Sequence, residues 1–160
     1  MPIWNPMNIP SGTVFPTAGE DGIHFYRTDL RCLFHYDRFR GKWLGELEAA
    51  GAGRSGAQAN GYLRAFNGMS MSASLGYWIP YNATITGISM VWITPQSGDL
   101  QVRRNGVVIA TVSFVNATSV SDLTLNANFA ANGVFAISVW NLTGNLTSPQ
   151  ARCWFRRHET

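Results

Sequence analysis

Side chains that could bind a metal or transfer a proton are concentrated in one stretch, IHFYRTDLRCLFHYDRFRGKW, at residues 23–43. This stretch holds two His, one Cys and two Asp among many aromatic rings. Those residue types fit two interpretations. They are the ligands or the general acids and bases of a metal or catalytic site, or they belong to a small β-hairpin whose rings are present to pack.

The alternation of residue types favours the hairpin. Residues alternate between two faces on both sides of the tripeptide DLR, with His24 and Tyr26 sharing a face before it and Leu33 and His35 sharing one after it. A zinc site needs about four converging ligands, and these spacings match no standard finger or ribbon. We therefore predict a hairpin without a metal, packed by Phe25, Tyr26, Phe34, Tyr36 and Trp43.

The remainder of the chain is poor in catalytic groups. Between residues 49 and 157 there is no His, Lys or Glu, and the Asp residues are Asp99 and Asp122. General acid–base and nucleophilic catalysis need a titratable pair or a base beside a nucleophile. The sequence also lacks a phosphate loop, a nucleophile elbow and a metalloprotease motif. We predict that the protein is not an enzyme, has no catalytic residues and uses no cofactor.

Composition limits the fold and the partners. The chain has 160 residues, of which 46% are hydrophobic and only 13% charged, enough for one domain with an appendage. So few charges suggest that a partner covers part of the surface. The net charge of +3 comes from eleven Arg and one Lys that are mostly scattered, whereas nucleic-acid binders concentrate them on one face. We therefore expect no nucleic-acid partner.

Apolar runs and cysteines indicate the cellular compartment in which the protein is made. No apolar run reaches the roughly 18 residues of a membrane span, and the N-terminus lacks the features of a signal peptide. We expect no membrane insertion and synthesis in a cytosol. Cys32 and Cys153 lie 121 positions apart, and we interpret them as two buried free thiols, with a disulfide as the alternative.

The chain divides into four segments. We predict an extended proline-rich arm at 1–19, a β-hairpin at 20–47, a Gly/Ala-rich linker or loop at 48–60 and a β-sandwich at 61–160. The arm holds four of the seven prolines and no charged residue. Proline excludes helix there, and an apolar arm is expected to lie on another surface rather than to form a flexible leader. Its candidate contact residues are Ile3, Trp4, Met7, Ile9, Val14 and Phe15.

Short strand-like runs separated by turn signals fill the last segment. Eight such runs in about 95 residues predict an all-β fold, an eight-stranded β-sandwich of the jelly-roll type. The runs are approximately residues 61–66, 70–78, 84–94, 99–104, 107–114, 121–127, 134–142 and 150–157.

Two of these runs carry more specific signals. Asn105-Gly106 predicts a two-residue turn, with Arg104 opposite Val107 and Val102 opposite Ile109. This turn joins strands that are apolar on both faces, which favours an oligomer. The last run alternates Cys153 and Phe155 with basic and aromatic residues. That second face, together with the guanidinium of Arg103, is a candidate subunit or partner surface made of Arg103, Arg152, Trp154 and Arg156.

The run FPTAGEDGIHFYRTDLRCLFHYD, followed by KWLGE, resembles a small hairpin of bacteriophage virion proteins, above all tail fibres and capsid-surface proteins. The matching residues are Asp21, Gly22, Phe25 to Asp29, Leu33, Phe34, Tyr36, Asp37 and Trp43. The usual YDGTxW turn is replaced by the longer YDRFRGKW. The runs GYWIPYNATITGISM and VRRNGVVIA also resemble β-sandwich domains of phage structural proteins. The resemblance covers about two thirds of the chain and implies a virion protein, with trimers frequent among its kind.

Two functions remain open. In the first, the chain is a capsid decoration or cement protein on the virion surface, made in the host cytoplasm. Its partners are then the major capsid protein and further copies of itself, with a trimer favoured. In the second, it is an adsorption protein at a tail tip or fibre end. Its sandwich would then bind a host-surface glycan through Trp78, Trp92 or Trp140, although a core role is the default for each of these rings.

Overall fold

The protein is all-β. The computed structural model describes residues 9–17 and 20–159, in which strands dominate (64%) and no helix occurs. This confirms the predicted fold class at the level of an all-β fold with a large multi-stranded sheet. In the same residues no helix is long and apolar enough to span a membrane. The described chain forms two compact units, the first from residues 9–17, 20–46 and 157–159 and the second from residues 47–156.

The first unit is a small sheet built from neighbouring segments. Its strands are β1 Ser11–Gly12, β2 His24–Arg27, β3 Cys32–Asp37 and β4 Lys42–Gly53, of which β4 continues into the second unit. β2 pairs antiparallel with β3, β3 pairs antiparallel with the start of β4, and the short β1 lies parallel to β2. The predicted hairpin is therefore present, and β4 extends it.

The second unit contains longer strands that pair out of sequence order. These strands are β5 Ala57–Gln58, β6 Gly61–Tyr62, β7 Arg64–Ala65, β8 Tyr77–Ile79, β9 Ala83–Arg104, β10 Val107–Asp122, β11 Ala127–Phe129, β12 Gly133–Trp140, β13 Leu146–Thr147 and β14 Gln150–Glu159, whose last residues belong to the first unit. β12 lies between β9 and β6, while β10 and β11 also pair with β9. The core of the second unit is large and mainly aliphatic, with Leu63, Ile85, Leu100 and Ile137 fully buried.

The strands differ from the predicted runs in several places. Residues 71–76 of the run 70–78 are not in a strand, and the run 121–127 is interrupted at residues 123–126, between β10 and β11. Residues 48–53, expected in a linker, continue β4, and Ala52 and Gly53 pair with β7. Small residues suit this position because a Cβ at Gly53 would lie only 2.8 Å from the carbonyl oxygen of Pro149. The runs 84–94 and 99–104 are one strand, β9, since the predicted break at Pro95 is an irregularity in the β9–β10 ladder rather than a turn.

The Asn105-Gly106 turn is confirmed, and its register is partly wrong. Both residues have positive φ, 49° and 82°, and Arg104 lies opposite Val107. A β-bulge at Ile109 then shifts the ladder by one residue, so that Val102 lies opposite Ala110 instead of Ile109. A bulge inserts one unpaired residue, and hydrophobic alternation does not reveal it because Ile109 and Ala110 are both apolar.

Candidate functional site

One face of the first unit is a closed cluster of aromatic rings. Phe25, Phe34 and Trp43 are each at least nine-tenths buried, and the partly buried Tyr36 lies 5.4 Å from Trp43 between ring centroids. The pairs Phe25↔Phe34 and Tyr36↔Trp43 are direct cross-strand neighbours, so period two places all four rings on the same face. Four of the five predicted packing residues therefore lie together.

The arm contributes a fifth ring to this cluster. β1 fixes the arm along β2, with the Tyr26 amide donating to the Pro10 carbonyl at 2.9 Å and the Thr28 amide to the Gly12 carbonyl at 3.0 Å. Phe15 then stacks on Trp43, with centroids 5.0 Å apart and planes 3° from parallel. The Arg27 guanidinium lies over the Phe15 ring, 4.7 Å from its centroid.

This packing changes the interpretation of the arm. Phe15, predicted to contact a capsid shell, is held by the chain's own hairpin, because a cross-strand aromatic face offered it a partner that the sequence did not reveal. Val14 beside it is 77% exposed and Ile9 is partly exposed. Ile3, Trp4 and Met7 lie outside the described residues. For Ile9 and Val14 the shell-contact role stays a prediction.

The opposite face of the hairpin is exposed. Tyr26 and Leu33 are cross-strand neighbours there and are 38% and 37% exposed. Tyr26 thus departs from its predicted packing role, since it points away from the ring cluster by the alternation of the strand. His24 lies opposite His35 on this face, with ring centroids 6.3 Å apart. No group of three His, Cys, Asp or Glu within residues 9–17 and 20–159 could hold a metal ion.

Both turns of the first unit are closed by a carboxylate and an arginine. Asp29 accepts two hydrogen bonds from Arg27, at 2.9 and 2.8 Å, and these lower the pKa of its carboxyl group. Asp37 accepts bonds from the amide and guanidinium of Arg40, at 2.9 and 2.6 Å. Burial alone would raise the pKa of Asp37, but the bonds from Arg40 outweigh it and the pKa is lowered.

The predicted surface of arginines and a tryptophan does not form as a set. Arg103 is half-buried in the second unit, where it donates to Ser138 Oγ at 2.9 Å, Gln101 Oε1 at 2.6 Å and the Gly106 carbonyl at 2.8 Å. Its guanidinium also lies over the rings of Tyr62 and Trp140. These contacts satisfy most of its five donors, so Arg103 serves the fold.

The remaining members of that predicted surface lie on β14. Burial alternates along the strand as predicted, with Cys153 and Phe155 buried, Arg152 exposed, and Trp154 and Arg156 partly exposed. Their role in subunit or partner contact stays a prediction.

Both cysteines are free, as predicted. Cys153 is fully buried in the core of the second unit, and this burial raises the pKa of its thiol, which makes it unreactive. The sequence predicts that Cys32 is buried as well, but it is only partly buried. It lies opposite Arg27 in the β2–β3 hairpin.

The three tryptophans considered for glycan binding have different surroundings. Trp92 is 5% exposed and packs 4.5 Å from Phe114, and Trp140 lies under Arg103. Trp78 is 60% exposed. It lines a cleft of about 600 Å³ together with Glu48, Phe66, Tyr81 and Arg152.

Of the other residues of this cleft, the sequence singled out only Arg152, as part of a candidate subunit or partner surface. Glu48 lay in the presumed linker, and the remaining residues come from separate strands and loops that only the folded sheet brings together.

Comparison with known proteins adds no relatives. No protein-family profile matches the chain, and no curated protein is significantly similar to it.

Proposed function

We propose that this protein is a non-enzymatic virion structural protein that binds the outside of a bacteriophage capsid and stabilises or decorates it. The observation that carries the proposal is the exposure of large apolar side chains on the small first unit. These side chains, at 37–77% exposure, are Val14, Ile23, Tyr26, Leu33 and Phe39.

Such exposure is costly for a unit of this size. A small sheet needs its apolar surface to be covered, and here one face is covered by the ring cluster, while on the other face Leu44 is buried but Tyr26 and Leu33 of the β2–β3 hairpin are exposed to solvent. The cluster and the arginine-closed turns hold the exposed face in a fixed shape. A rigid, exposed apolar face that needs no internal partner is suited to dock on another protein, and the resemblance to phage hairpins favours the major capsid protein.

The arm fits the same role. Because β1 and Phe15 fix residues 11–15 on the hairpin, the proline-rich segment that precedes them is attached to the hairpin at the start of β1. We propose that this segment extends the contact along the shell. The protein would then be localised at the capsid surface after synthesis in the host cytoplasm.

For the second unit we propose a jelly-roll-like β-sandwich that forms a homo-oligomer, with a trimer favoured. Supporting the first point is the pairing of strands distant in sequence, as in β12 between β9 and β6. Supporting the second are the exposed apolar residues along β9 and β10, which include Ile93, Val107 and Val115 at 66%, 67% and 81% exposure. A mass of only one chain in solution at micromolar concentration would contradict self-assembly away from a capsid.

The experiment is co-sedimentation with capsids of the encoding phage prepared without this chain. Wild-type protein should pellet with them, and the double variant Tyr26→Ser/Leu33→Ser should lose most binding. The control, Leu75→Ser/Leu123→Ser, removes two apolar side chains of the second unit that lie outside β9 and β10 and are 55% and 62% exposed, and it should bind normally. Absence of wild-type binding, or normal binding by the hairpin variant, would contradict the proposal.

The arm needs a truncation that spares Phe15. Deleting residues 2–18 would remove a ring from the hairpin cluster, so loss of binding could reflect misfolding. Deleting residues 2–8 leaves β1 and Phe15 in place, and we expect weakened capsid binding with an unchanged thermal unfolding temperature. Undiminished co-sedimentation would exclude residues 2–8 from the contact.

A further inference from the structure

We propose that the second unit binds an acidic oligosaccharide in the cleft beside Trp78. This binding goes beyond the capsid attachment proposed above and does not depend on it. The cleft residues that carry the argument are Glu48, Phe66, Trp78, Tyr81 and Arg152, all of which belong to residues 47–156. At about 600 Å³ the cleft lies within the roughly 300–1,000 Å³ usual for small-molecule sites.

Two exposed aromatic rings line the cleft. Trp78 is 60% and Phe66 61% exposed. Trp78 belongs to β8, where it pairs through its backbone with Val134 of β12. Phe66, in the turn after β7, fills the space above Gly51, where a Cβ would overlap its ring. Both rings are therefore available to stack against the apolar C–H face of a pyranose.

Hydrogen-bonding groups border these rings. The Tyr81 hydroxyl donates to the Glu48 carboxylate, and the Tyr77 hydroxyl donates to the Gly51 carbonyl at 2.9 Å. The first bond orients Glu48, which keeps further acceptor sites, and Arg152 supplies exposed planar donors. A carboxylate and a guanidinium beside a ring offer the acceptors and donors that the hydroxyl groups of a sugar require. A purely apolar ligand would leave these groups unpaired at a cost.

The lining of a second cleft indicates that the ligand is negatively charged. It shares Phe66 with the first and has a volume of about 800 Å³. Arg54 and Arg64 line it together with Ser148 and Gln150, and none of its lining residues in the described chain is acidic. Guanidinium groups bind carboxylate and phosphate groups in a planar, paired geometry. A chain that crosses Phe66 would therefore place an acidic sugar, or a phosphate between sugars, at the two arginines.

The test uses the full-length protein on an array of purified bacterial capsular polysaccharides, lipopolysaccharides and teichoic acids. Wild-type protein should bind one or more acidic glycans. Trp78→Ala should lower the binding at least tenfold, and Arg54→Gln/Arg64→Gln should lower it and reduce its sensitivity to salt. Leu123→Ala, which removes a side chain that is 62% exposed outside both clefts, should bind as wild type.

Three results would overturn the inference. They are no binding to any glycan on the array, binding that Trp78→Ala leaves unchanged, and equal binding of neutral and acidic glycans that the double arginine variant does not affect. Thermal unfolding of each variant excludes misfolding as the cause of a loss. Capsid co-sedimentation of Trp78→Ala should remain normal, so failure of the glycan site and failure of the capsid proposal give different results.

Discussion

Arginine has different partners in the two compact units. In the first, Arg27 and Arg40 bind carboxylates two and three residues away along the chain. In the second, Arg103 donates to the neutral groups of Ser138 and Gln101 and lies over the Trp140 ring. The short-range pairs close turns and need little else to form. The bonds of Arg103 to Gln101 and to the Gly106 carbonyl are also short-range, but those to Ser138 and the Trp140 ring form only after β9 and β12 have paired, so its full set of contacts depends on tertiary structure.

The cores of the two units also differ in how far apart in sequence their residues lie. The first unit depends on one cluster of rings from neighbouring strands, whereas the core of the second draws on most of its strands. A small core has few contacts to share the loss of one side chain. The first unit should therefore be the more sensitive of the two to the loss of a single ring.

The largest expected effect is that of Trp43→Ala. Trp43 is 6% exposed and contacts Phe15, Phe25 and Tyr36, so its removal should cost about 3–5 kcal/mol of unfolding free energy. Amide hydrogen exchange should show loss of protection across β2 and β3. Tyr26→Ala, on the exposed face of the same hairpin, should leave this protection nearly intact. Preserved protection in the Trp43 variant would refute the dependence on one cluster.

Arg103→Ala should have the next largest effect. It removes three hydrogen bonds and two ring contacts, and it leaves acceptors on Ser138 and Gln101 without their donor, at about 2–3 kcal/mol. Arg103→Lys keeps the charge and loses the planar fork, so it should recover only part of the loss. Urea unfolding measures both, and the exposed Arg152→Ala should change stability by less than about 0.5 kcal/mol. Equal stability of the Ala and wild-type proteins would contradict an internal role for Arg103.

The features predicted from sequence were those with a local cause. Alternation within a few residues predicted β2 and β3, and the positive φ that Asn105 and Gly106 accept predicted their turn. The bulge at Ile109 was not predictable, because a shift between two apolar neighbours leaves the pattern unchanged. The Gly/Ala composition of residues 48–53 predicts a loop because small residues are typical of flexible segments, whereas in the structure they allow close backbone approach within β4.

The candidate sites also divide into one formed by residues close in sequence and others formed by distant residues. The ring cluster on β2, β3 and β4 could be predicted from the alternation of residue types, because its members are at most 18 residues apart, from Phe25 to Trp43. The docking of Phe15 was not predicted, because it depends on the parallel pairing of β1 with β2, which hydrophobic periodicity does not indicate. The cleft at Trp78 unites residues from Glu48 to Arg152, and only strand pairing brings them together.

Asp37→Asn should have a smaller effect that depends on pH. The folded-state pKa of Asp37 is lowered, so its ionised form stabilises the fold above the unfolded pKa of about 3.9, and this contribution is lost as pH falls through the folded value. At pH 7 the variant should lose about 1 kcal/mol of stability. Thermal unfolding at pH 7 and below pH 3 should show the two proteins converging in acid. Asp29→Asn is the more exposed comparison and should change less. A difference that persists unchanged in acid would rule out the charge of Asp37 as its cause.

The smallest effect should come from replacing both histidines of the hairpin. His24 and His35 face each other on the exposed side of the sheet, where each ring contributes some contact area and at most about 1 kcal/mol through a hydrogen bond. The double variant His24→Gln/His35→Gln should therefore keep capsid binding and nearly the wild-type unfolding temperature, whereas Tyr36→Ala/Trp43→Ala should lose both. A chelator-treated wild type serves as the second control. Loss of binding in the histidine variant or after chelation, with the aromatic variant unaffected, would make this hairpin a metal site. The comparison thus decides between packing and metal ligation, because the two histidines and the packing rings lie on opposite faces of the same small sheet.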